Sequence, residues 1–234
     1  MFHFELLRKT SLAVALAGLL LTGAQAAEPS ARTVRLEPAR DVGGGLLRPR
    51  LSCFGAMPPT VILDTSGEPA SLWTRVVPLL KERSRVCVWN HGAALSPEQD
   101  ALKLHLALAA AGESPPYLRV AQGRGAAHIA AFALRYPQQV VGLLLVDADP
   151  FPAHTVLDPM LPIAVLSSTQ ADDGAWQDSQ AKLAAATTQT MQLLAQGPQG
   201  SLPMFSPDAV ATGLDWLLRL TRTPSIEVDD RANP

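Results

Sequence analysis

Leu118-Arg119-Val120-Ala121-Gln122-Gly123-Arg124-Gly125-Ala126-Ala127 reads as a strand, a sharp turn and the start of a helix. The lead-in is apolar and β-branched, Gly123 and Gly125 flank a corner, and the alanine-rich stretch through Phe132-Ala133-Leu134-Arg135 has helical character. Tyr136-Pro137 closes it. Such a unit is the building block of a sheet whose strands are covered by helices.

The flanking sequence repeats the theme. Thr60-Val61-Ile62-Leu63-Asp64 and Val140 to Val146 are short, continuous apolar runs of the kind that form strands buried on both faces. Arg85-Val86-Cys87-Val88-Trp89 and Pro162-Ile163-Ala164-Val165-Leu166 read likewise, and Leu46 to Phe54 reads as an earlier strand. Thr33-Val34-Arg35-Leu36 is a weaker one, and Gly43-Gly44-Gly45 a turn. Helical spacing appears over Pro69 to Glu82, where Leu72, Trp73, Val76, Val77, Leu79 and Leu80 are core candidates, and over Trp176 to Leu194. Ser96-Pro97-Glu98 is a capped helix start and Gly112 its stop. Ser206-Pro207-Asp208 opens a last helix reaching Arg219. Strands alternating with helices predict an α/β fold with a mostly parallel sheet covered on both faces.

The chain has 234 residues, 47% apolar and 17% charged, which suits one domain with a sizeable core. Its net charge of -2 and the lack of a basic stripe argue against nucleic-acid binding. Arg8 and Lys9 precede the apolar run Leu12 to Leu21, and Ala24-Gln25-Ala26 follows. This is the pattern of a secretory signal peptide cut after residue 26, so a secreted or periplasmic protein without a stable membrane span is expected. The expected divisions are 1–26 signal peptide, 27–45 extension and first strand, 46–222 domain, and 223–234 polar tail. Cys53 and Cys87 each lie in an expected strand. Two buried thiols and a disulfide closing a loop of some thirty residues both fit.

Arg135-Tyr136-Pro137, followed by Val140-Val141-Gly142 to Asp147-Ala148, resembles a pattern of the alpha/beta-hydrolase fold family. Pro59-Thr60-Val61-Ile62-Leu63, Trp73 and Arg85-Val86-Cys87 are also similar, and the likeness covers roughly Leu46 to Leu220. The resemblance implies that the strand of Cys53 lies beside that of Cys87, which favours the disulfide. It also implies a serine nucleophile at the tip of the turn, within G-x-S-x-G. In Ala121-Gln122-Gly123-Arg124-Gly125 the tip is Gly123, which carries no nucleophile. The base should come from the loop Ala195-Gln196-Gly197-Pro198-Gln199-Gly200-Ser201, where Gly200 occupies its place, and no histidine follows His154. The resemblance implies an acid after the strand ending at Leu166, at Asp172 or Asp173. Removing nucleophile or base from such a triad costs on the order of 10⁶ in turnover. Arg124, just past the tip, and Thr65 are the expected oxyanion-like or ligand contacts.

Relocated catalysis would use Ser66 and His91, both at expected carboxyl ends of strands, with Asp172 or Asp173. His128 follows the tip by five residues and reads as a core or surface side chain. His91, His105, His128 and His154 lack the paired spacing of metal ligands, so no metal or other cofactor is expected. About fifteen residues separate Asp147 from Pro162, enough for a loop and too few for a cap domain. The sequence therefore predicts an exported alpha/beta-hydrolase-like protein with a degenerate triad. Its expected role is binding a small apolar or acyl ligand, or a protein partner; the alternative is an esterase-type hydrolase built on Ser66, His91 and Asp173.

Overall fold

The computed structural model describes residues 50–91, 95–170 and 174–221. The expected signal peptide, the strand at 33–36, the 223–234 tail and both candidate acids, Asp172 and Asp173, lie outside them. The chain order is β1 (Arg50–Phe54), β2 (Thr60–Asp64), a 3-10 turn (Ala70–Trp73), α1 (Val77–Leu80), β3 (Arg85–Asn90) and α2 (Pro97–Ala111). There follow β4 (Tyr117–Gln122), α3 (Gly125–Arg135), β5 (Val140–Val146), β6 (Ile163–Ser168), α4 (Gly174–Ala184), β7 (Thr190–Ala195), α5 (Leu202–Phe205) and α6 (Pro207–Thr221).

The strands form one seven-stranded sheet in the order β1-β3-β2-β4-β5-β6-β7. Among the described strands only β1 runs antiparallel to its neighbour. Alternate side chains sort the core into two layers. Ile62, Trp89, Leu143 and Leu145 face α2, α3 and α4, whereas Val61, Leu63, Leu118, Val120 and Leu144 face α1 and α6. β5 connects to β6 through turns and irregular chain alone, with no cap domain.

Several local expectations hold. Ser96 caps α2 by accepting from the Gln99 N–H at 3.3 Å, while the Gln99 side chain accepts from the Ser96 N–H, and Gly112 ends the helix at φ 74°. Cys53 pairs directly with Cys87 across β1 and β3, and the two form a disulfide. Two expectations fail. The single helix read over Trp176 to Leu194 is α4 followed by β7: Met191, Leu193 and Ala195 turn inward while Thr190, Gln192 and Leu194 turn outward, a period-2 pattern that pairs with β6. The expected helix over Pro69 to Glu82 is a 3-10 turn and one short α-helical turn. Pro78 supports only a helix start there, because it has no N–H for the preceding turn.

One charge pair lies inside this apolar frame. Arg119, in the middle of β4, and Asp64, at the end of β2, are both fully buried, with Arg119 Nη2 3.1 Å from Asp64 Oδ2. The guanidinium also sits 4.6 Å from the Phe132 ring centroid. Burial lowers its pKa, against the opposing pull of Asp64 and Asp100. Removing one partner of such a pair leaves the other charge uncompensated and costs about 3–5 kcal/mol. In a double-mutant cycle of Arg119→Leu and Asp64→Asn, read by urea unfolding, the double variant should lose at least about 1 kcal/mol less than the sum of the singles. Additive losses would show that the two side chains act independently.

Candidate functional site

β4 ends at Gln122 and α3 begins at Gly125, so the chain reverses across Gly123 and Arg124. Gly123 has φ +54°, a conformation that an L side chain adopts only under strain. Its N–H donates to the Val146 carbonyl at 3.1 Å and its carbonyl accepts from the Asp149 N–H at 3.0 Å, so β5 and the chain after it hold the corner. Nothing lies within 4 Å of where a Cβ at 123 would project. The tip of the turn is thus strained, braced from behind and open in front.

The Gly200 loop meets this corner. The Gln122 side-chain amide donates to the Gly200 carbonyl, and a Cβ at 200 would come 3.7 Å from Gln122 Nε2. Gly200, expected at the base position, therefore stands beside the residue preceding the tip. Asp147, at the end of β5, supports the loop: its Oδ2 accepts from the Gly200 N–H at 2.8 Å and its Oδ1 from the Ser168 N–H at 2.7 Å. Burial raises the Asp147 pKa above its ordinary value, although these two bonds pull the other way. In the sequence Asp147 stands out only as the acidic residue that closes an apolar strand.

Arg124 is exposed at the start of α3, and its guanidinium lies over Gly67. Thr65 behaves differently from the expected oxyanion contact. Its backbone N–H donates to the Trp89 carbonyl at 3.0 Å and so belongs to the sheet, while its hydroxyl is buried without a hydrogen-bond partner.

Ser66 and His91 are brought together, with Asp64 between them. Asp64 Oδ1 accepts from the Ser66 N–H at 2.8 Å and from its hydroxyl at 3.2 Å, and lies 3.5 Å from His91 Nε2. Ser66 sits at φ 53°, and a Cβ on Gly125 would run into its hydroxyl, so Ser66 packs tightly beneath the elbow. A serine nucleophile needs its hydroxyl on the imidazole and the acid on the far side of the ring. Here hydroxyl and imidazole address the same carboxylate oxygen. Burial disfavours the charged form of His91, yet the Asp64 and Asp100 carboxylates outweigh burial and the repulsion of Arg119, leaving its pKa raised.

Sequence spacing also hid a second grouping. His128, on the first turn of α3, stacks on His91 with ring centroids 4.9 Å apart, and its Nδ1 lies 3.3 Å from Asp100 Oδ2. Trp89 Nε1 donates to the other Asp100 oxygen at 2.8 Å. These groups come from separate elements, and Arg119 inside an apolar strand was the one sign of a buried polar cluster.

No protein-family model matches the sequence, and no curated protein matches it. Solved structures do. An alpha/beta hydrolase enzyme from the metagenome of lagoon sediments at Mar Chica, Morocco, superposes with a TM-score of 0.66 at 12% identity, over 79% of this chain and 99% of that one. A thermophilic esterase from Thermogutta terrifontis gives 0.62 at 16%, over 75% and 94%. Naproxen esterase from Bacillus subtilis gives 0.58 at 14%, over 80% and 93%. The chain has the alpha/beta-hydrolase fold.

If Gly123 and Gly200 stand at the nucleophile and base positions, restoring both groups should create activity. The double variant Gly123→Ser, Gly200→His should hydrolyse short-chain nitrophenyl esters measurably faster than either single variant. A folded double variant with no more turnover than the wild type would refute this placement.

Proposed function

We propose that this chain is a non-catalytic alpha/beta-hydrolase-fold protein that binds a small acyl ligand at the remnant elbow. The observation that carries the reading is glycine at both 123 and 200 within a corner whose backbone is otherwise held in place. No side chain at the tip can attack, and none at 200 can take a proton. What remains suits binding. The front of Gly123 is open, Arg124 offers a cation, and the start of α3 presents the positive end of a helix dipole. Met204 and Phe205, both exposed, follow the Gly200 loop and offer apolar surface to a ligand tail.

The expected setting is outside the cytoplasm. The disulfide is compatible with an oxidising compartment, and no described helix is long and apolar enough to cross a membrane. The rival reading, an esterase using Ser66, His91 and Asp173, has less support because Ser66 and His91 share Asp64 instead of bonding to one another.

Octanoate is a suitable probe, since it combines a carboxylate with an apolar tail. Calorimetric titration should give saturable binding that Arg124→Ala weakens roughly tenfold, the scale of one charge-assisted contact. Octanol should bind more weakly than octanoate. Unsaturable octanoate binding, or a titration unchanged in Arg124→Ala, would contradict the proposed ligand class.

A further inference from the structure

Beneath the elbow, three elements that are remote in sequence converge on one buried point. His91 follows the carboxyl end of β3, Asp100 lies on the first turn of α2, and His128 lies on the first turn of α3. One ligand atom from each falls within 4.8 Å of the other two. His91 is 4% exposed and Asp100 0%. His128 Nδ1 lies 3.3 Å from Asp100 Oδ2 and His91 Nε2 3.5 Å from Asp64 Oδ1, neither pair in good hydrogen-bond geometry, and His91 Nδ1 is buried with no partner. Buried polar atoms are ordinarily satisfied, so the loose pairing and the unpartnered His91 Nδ1 leave a place for a further group.

Charge points to the nature of that group. The cluster contains two buried carboxylates, Asp64 and Asp100, and one permanent cation, Arg119. Arg119 pairs with Asp64, which also holds Ser66, so Asp64 is occupied. Asp100 is oriented by the Trp89 N–H on one oxygen, which leaves the other turned toward His128. A ligand oxygen fixed from behind by a hydrogen bond is the usual support of a metal site. Two imidazoles and one carboxylate form a donor set that suits Zn²⁺ and leaves a fourth position for water.

We propose that His91, Asp100 and His128 form a buried zinc site that pins the end of β3 to α2 and α3 beneath the elbow. The two rings lie stacked within 17° of parallel, so their lone pairs do not yet converge. Binding requires one ring to tilt. His128, at 12% exposure, is the more accessible of the two. The ion's role is structural, because the ligands are buried and none reaches the open front of Gly123. This site is independent of ligand binding at Arg124.

The test uses the full chain, stripped with chelator and titrated with Zn²⁺ at about pH 8, where protons compete least with the metal for imidazole. One equivalent should bind, and a hundredfold excess over Kd should raise Tm by roughly 5–10 °C. Co²⁺ should give the visible absorption of a nitrogen- and oxygen-ligated ion. His128→Ala, at the rim of the cluster, should fold and lose the stoichiometric binding, the Tm rise and the Co²⁺ spectrum. His154→Ala, outside the cluster, should retain all three. Absence of stoichiometric binding in the wild type, or binding retained in His128→Ala, would overturn the proposal. The first result would leave a protonated imidazole as the balancing cation.

Discussion

The carboxylate of Asp64 is the constraint around which the rest is placed. It sits fully buried at the end of β2, where an unpaired charge would be prohibitively costly, so its partners must be built around it. Arg119 reaches it from β4, Ser66 turns back onto it from the following residues, and Trp73 donates to its backbone carbonyl at 3.0 Å. These contacts lock β2 and β4 at the edge where the elbow forms. Ser66 is held at a positive φ by the same carboxylate, and its hydroxyl then fills the space against Gly125. The elbow's shape thus rests on a polar cluster behind it as well as on Gly123.

The same cluster weighs on function. The Ser66 hydroxyl is bonded to an acid and packed under a helix start, and an imidazole facing that same acid is poorly placed to activate it. At the front of the turn the backbone keeps the strained corner, and Asp147 holds the Gly200 loop against it. In the proposed reading, the geometry of a hydrolase site is kept without its chemistry. Open space at 123 and a cation at 124 are the features on which the proposed binding rests.

Much of this was legible in the sequence because the signals were local. Gly123 and Gly125 marked the turn, Ser96 and Gly112 bracketed α2, and the apolar run at 140–146 was a strand buried on both faces. β7 was hidden because Met191, Leu193 and Leu194 extend a helical pattern as readily as they start an alternating one. Pro78 broke an expected helix that apolar spacing alone would have continued. The cluster of Asp64, His91, Asp100, Arg119 and His128 was illegible because its members are drawn from five parts of the chain. Pairing of β2 with β3 and β4, and packing of α2 beside α3, bring them together. Arg119, a charge inside a buried strand, was the one residue whose context demanded a partner.

The claim that no working nucleophile stands at or beside the elbow is tested most directly by labelling the wild-type protein with a serine-reactive fluorophosphonate and locating adducts by mass spectrometry. The account predicts no stoichiometric adduct on any serine under conditions that fully label an active esterase. A stoichiometric adduct on Ser66, lost in His91→Ala, would contradict it and establish the rearranged hydrolase instead.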